Sequence, residues 1–75
     1  MKRDPSKYEI LKELAKKIKL KRQQLNLTQE ELAEKSGFHV NYIGGIERAQ
    51  RNPSIDSLVR IARAFEISPK DLMPE

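Results

Sequence analysis

The sequence has no cysteine and one histidine in 75 residues. Without cysteine there is no disulfide, thiolate metal site or thiol nucleophile, so packing alone must hold the fold. A lone histidine, among carboxylates scattered along helical surfaces, leaves no convergent acid, base or metal-binding set. The chain therefore reads as a non-enzyme with no cofactor and no metal. Long apolar runs are also missing. Nothing approaches the ~18 residues of a membrane span, and no apolar signal region opens the chain, so a cytoplasmic protein without a membrane partner is expected. Strand patterning, internal repeats, low-complexity tracts and long linkers are absent.

What is present is charge and helical periodicity. Net charge is +4 and unevenly spread, with nine Lys or Arg against three Asp or Glu in residues 1–25. A surplus of this kind suits a polyanion, although a lysine-rich helix also simply keeps a protein in solution. The length makes one domain, residues 1–75, near the lower limit for a self-supporting core. Asp4 with Pro5, or Ser6 with Glu9 as a capping box, begins a long first helix ending near Leu25. Its core stripe is Ile10, Leu11, Leu14, Ala15, Ile18 and Leu25. Ser54 caps a fourth helix after the loop that Pro53 imposes. Ser68, Pro69 and Leu72 mark a short fifth.

Between these lies the most informative stretch, Leu27 to Ser54. Thr28 followed by Glu31 is a capping box, so a helix starts at about Gln29 with Leu32 and Ala33 on its inner face. Gly37 supplies the left-handed residue that ends it. Phe38, Ile43 and Ile46 recur at helical spacing on the next segment, leaving His39, Asn41, Gly44, Gly45 and Arg48 to face outward. Two short helices crossing over a three-residue turn form a helix-turn-helix, at about residues 28–48, which lays its second helix in the DNA major groove.

The outward residues suit that task. Asn41 can both donate to and accept from adenine, or stay a solvated polar residue near a helix start. Val40 offers only an apolar contact, such as a thymine methyl. His39 stands in the cap region, free to meet phosphate or a base edge or to have no special role. Gly44 and Gly45 each cost about 1 kcal/mol against alanine in a helix, offset if the backbone sits close to DNA; the rival reading is a locally weak helix. Gln29 sits where helix N–H groups attract phosphate. On the fourth and fifth helices the apolar surface is wider than one core face needs. Residues 54–75 are thus the expected dimerisation region, with Ile55, Leu58, Val59, Phe65, Ile67, Leu72 and Met73 as interface candidates.

Gln29, Ala33, Gly37, Ile43 and Ile46 resemble the signature of the lambda-repressor-like, Cro-type (XRE) helix-turn-helix family, and the likeness runs on to Ser68. The part YIGGIERAQRNPSI is similar to controller proteins of restriction-modification systems. The resemblance implies an all-α, five-helix DNA-binding domain acting as a dimeric transcriptional regulator on a palindromic operator of double-stranded DNA. It would govern its own gene and that of an endonuclease, with RNA polymerase as a further partner. Phage-type repressors, antitoxin autoregulators and protein-interaction adaptors of the same fold are the alternatives. It further implies that Arg48, Arg51 and Asn52 run along the DNA backbone, and that Tyr42 lies beside the bases or packs against the first helix. Arg22 and Glu47 match an internal ion pair joining the first and third helices.

Overall fold

The computed structural model describes residues 6–74. They form α1 (Lys7–Gln24), α2 (Gln29–Ser36), α3 (Val40–Glu47) and α4 (Ile55–Phe65), followed by one 3-10 turn, Pro69–Leu72. The all-α class holds, but the expected five helices are four. The fifth segment fails as an α-helix because Ser68 contributes no side-chain cap and Pro74 forces Met73 into extended backbone, φ −75° and ψ 139°. Four residues between two prolines suffice for one 3-10 turn only.

Helix starts follow local chemistry. Ser6 caps α1 by accepting from the Glu9 N–H, and Ser54 caps α4 by accepting from the Ser57 N–H. The Asp4–Pro5 alternative for the first helix lies outside the described residues. Thr28 and Glu31 form the reciprocal capping box of α2, with the Thr28 N–H donating to Glu31 Oε1 at 2.9 Å. That backbone hydrogen bond, then the Thr28 side chain, holds the Glu31 carboxyl below its ordinary range.

Each of the four α-helices ends on a left-handed residue, namely Asn26, Gly37, Ala49 and Glu66. In every case the next N–H reaches back five residues: Leu27 to Arg22, Phe38 to Ala33, Gln50 to Gly45 and Ile67 to Ala62. These are Schellman closures. Glycine fills one of them. Ala49, at φ 59°, carries a Cβ that disfavours this conformation, so Ala49→Gly is expected to raise stability by about 1 kcal/mol in denaturant unfolding. An unchanged or lowered midpoint would show that the Ala49 methyl contributes packing worth more than the relieved strain.

The core joins all the helices through Leu14, Ile18, Leu32, Ile43, Ile46, Leu58, Ile61, Phe65 and Leu72. Of the expected α1 stripe, Leu14, Ala15 and Ile18 are buried and Leu11 is half-buried, whereas Ile10 and Leu25 are exposed. Three expected interface residues also belong to the interior: Leu58, Phe65 and Leu72 are 5%, 3% and 1% exposed. α4 packs on α2 and the 3-10 turn, and those contacts bury the side of it that the sequence could not distinguish from a partner-facing side. Ile55, at 70% exposed, and Met73, at 42%, remain on the surface with half-buried Val59 and Ile67. Among the described residues no helix is long and apolar enough to cross a membrane.

Candidate nucleic-acid interface

α2 and α3 are joined by Gly37, Phe38 and His39, the three-residue turn that the spacing predicts. Gly37 adopts φ 78°, and Phe38, in the turn rather than the helix, lies half-buried with its ring 4.9 Å from that of Tyr42. His39 is the N-cap of α3. Its Nδ1 accepts the Asn41 N–H at 3.0 Å, taking the place of the usual hydroxyl or carboxylate oxygen. A ring engaged this way presents only its outer edge to a ligand. Val40 is half-buried against the core, while Asn41 is exposed at the start of α3.

α3 is fixed from behind by a buried ionic knot. Arg22 Nε and Nη2 donate to the two Glu47 carboxylate oxygens at 2.7 and 3.1 Å, and Arg22 Nη1 donates to the Leu27 carbonyl at 2.7 Å. The Glu47 side chain is 2% exposed. Gln29 Nε2 completes the set by donating to Glu47 Oε1 at 3.0 Å. One Gln29 N–H thus binds α3 to α2, leaving the other and the helix N-terminus for a phosphate. The ion pair joins the first and third helices as the family resemblance implies.

The two glycines are not outward-facing. Gly44 and Gly45 are buried, covered by the side chains of the arginines that follow α3. A Cβ at Gly44 would stand 2.9 Å from Arg48 Nη1, and one at Gly45 would stand 2.6 Å from Arg51 Cγ. The backbone is bare so that Arg48 and Arg51 can fold over it, and DNA could reach the glycines only if those side chains moved. Arg48 also donates through Nε to Gln50 Oε1 at 3.0 Å. Arg48, Arg51 and Asn52 are all exposed, so Asn41 and the two arginines share an open, cationic side of the molecule.

Tyr42 is half-buried, and its hydroxyl donates to Ser57 Oγ at 3.0 Å. Its hydroxyl is thus held by α4 and its ring lies against Phe38 and the core. Sequence reasoning missed Arg60 altogether. From α4 it donates to the carbonyls of Ser36 at 3.2 Å and Gly37 at 3.1 Å, and its guanidinium lies 4.1 Å over the Phe38 ring. One side chain thereby clamps the turn that sets the angle between α2 and α3. No local signal announces it, because its partners are more than twenty residues away.

The helix-turn-helix model HTH_3 matches residues 18–72. The control protein C.SmaI of Serratia marcescens is 42% identical over 80% of this chain and 71% of its own. The control protein C.BamHI of Bacillus amyloliquefaciens is 44% identical over 64% of this chain and 59% of its own. Among solved structures, the restriction-modification controller protein C.AhdI from Aeromonas hydrophila superposes with a TM-score of 0.83 at 36% identity, over 84% of this chain and 96% of that one.

Proposed function

We propose, from the premise that this chain belongs to the HTH_3 helix-turn-helix family, that it is a sequence-specific DNA-binding transcription regulator working as the controller protein of a restriction-modification system. It acts in the cytoplasm as a homodimer on a two-fold related operator, governing its own gene and that of the endonuclease. The observation that carries this reading is the exposed Asn41–Arg48–Arg51 side of a helix whose other side is locked by the Arg22–Glu47 pair. A rigid helix presenting one hydrogen-bonding side chain near its start and cations at its end can read a base while the cations hold phosphates.

Asn41→Ala is expected to weaken specific binding by about 1 to 3 kcal/mol and to relax preference at one position per half-site. Affinity for random DNA should stay nearly unchanged. Gel-shift titrations on operator and scrambled duplexes measure both, and equal losses on the two would remove the base-reading role. Because the Asn41 side chain is exposed and makes no hydrogen bond among the described residues, thermal unfolding should be unaffected.

Dimerisation follows from size, since a single recognition helix reads only a few base pairs. Two-fold pairing places two such helices about 34 Å apart, one turn of DNA. Ile55, Val59, Ile67 and Met73 are the residues still available for it. Ile55→Glu is expected to shift sedimentation from dimer to monomer and to lower operator affinity at least tenfold, without altering helical content. A variant that remains dimeric with full affinity would move the interface elsewhere.

A further inference from the structure

We propose that the exposed face of α1 carrying Lys12, Lys16 and Lys19 is a second DNA contact: a sequence-independent lysine track that grips the phosphate backbone flanking the operator half-site. This rests on the DNA-binding reading above but uses none of its residues except Arg48. The family match begins at residue 18, so Lys12 and Lys16 lie before it and Lys19 lies just inside it. α1 runs 18 residues, about 27 Å at 1.5 Å per residue, in a molecule measuring 42 × 22 × 22 Å.

Along that helix Tyr8, Lys12, Lys16 and Lys19 line one side of a groove of about 350 Å³, and Arg48 and Ala49 at the end of α3 line the other. The lysines therefore face Arg48, the cation at the end of α3, across one groove. All three are exposed, and among the described residues none pairs with a carboxylate. Lys12 Nζ rests 5.5 Å from the centre of the Tyr8 ring. The single acid in the groove, Glu47, is neutralised by Arg22 and withdrawn from solvent. Glu9 and Glu13 share the next face of α1 with Lys12 and Lys16 and do not line the groove.

Lys12 to Lys19 spans about 10 Å of helix, room for two or three phosphates at 3.4 Å rise per nucleotide. Phosphate is the occupant that the charge favours, because the groove offers exposed cations while its one carboxylate, Glu47, is already engaged by Arg22.

The test compares wild type with Lys12→Gln/Lys16→Gln/Lys19→Gln, and with the corresponding Lys→Arg triple that keeps the charge. The probe is a duplex selected by wild type from a random-sequence pool, used trimmed to its protected bases and with about ten base pairs added on each side. Wild type should bind the longer duplex about tenfold more tightly. The Gln triple should lose that gain, and its log K against log salt should flatten by about 0.9 per lost contact. Its preference for the selected over scrambled sequence and its melting temperature should match wild type. The Arg triple should retain the gain, and Lys70→Gln on the 3-10 turn should change nothing. A Gln triple with the wild-type slope and flank gain overturns the proposal. If wild type selects no sequence, the base-reading function fails instead, and the slope difference on random duplex still decides the lysine track.

Discussion

Glu47→Ala is expected to lower the stability of the domain by about 3 kcal/mol, a fall of about 15 °C in melting temperature for a chain of this size. The cost is not that of one surface ion pair, which would be under about 1 kcal/mol. Glu47 receives Arg22 Nε and Nη2 and Gln29 Nε2, and with the Arg22 side chain 12% exposed, water cannot replace the lost carboxylate. Removing one partner leaves a desolvated guanidinium with the Leu27 carbonyl as its one remaining acceptor among the described residues. Replacing both charges together, Arg22→Met with Glu47→Met, should recover most of the loss. Differential scanning calorimetry of the three proteins decides the matter. A Glu47→Ala melting point within a few degrees of wild type would mean that the pair contributes no more than an exposed one. At temperatures where the variant is still folded, operator affinity should also fall, because the carboxylate ties α3 to both α1 and α2.

Gly37→Val comes next, with an expected loss of about 2 to 3 kcal/mol from two separate causes. The residue sits at φ 78°, where a β-branched side chain is strained. Its Cβ would also stand 2.6 Å from Arg60 Nη2, the group that donates to the Gly37 carbonyl. Arg60 can swing aside, yet doing so releases its hold on the turn. Gly37→Asn tolerates the left-handed backbone and should cost less. Arg60→Ala in the valine background should return part of the loss if the collision matters. A valine variant as stable as wild type would refute both the strain and the clamp.

The helix starts at Ser6, Thr28 and Ser54 and the stop at Gly37 were legible in the sequence, since they are decided within a few residues, whereas the left-handed closures at Asn26, Ala49 and Glu66 were not. A hydroxyl at Ser6, Thr28 or Ser54 meets an N–H three residues on, and Gly37 ends α2 by its own backbone freedom. The apolar residues of α2 and α3, at helical spacing, determined the helix-turn-helix in the same local way. The Arg22–Glu47 pair was visible only through the family resemblance, its members being twenty-five positions apart.

Where the outcome depends on what arrives from a distant element, the tertiary structure alone decided it. Arg48 and Arg51 fold back over Gly44 and Gly45, burying glycines that helical geometry had placed on the outside. Ser57 takes the Tyr42 hydroxyl and Arg60 takes the turn carbonyls, bonds that no periodicity announces. Leu58, Phe65 and Leu72 went to the core while Ile55 and Met73 stayed outside, because α4 and the 3-10 turn are buried on the sides that α1 and α2 cover. An apolar side chain records that it should leave water; whether its own fold or a second copy removes it depends on which helix lies against it.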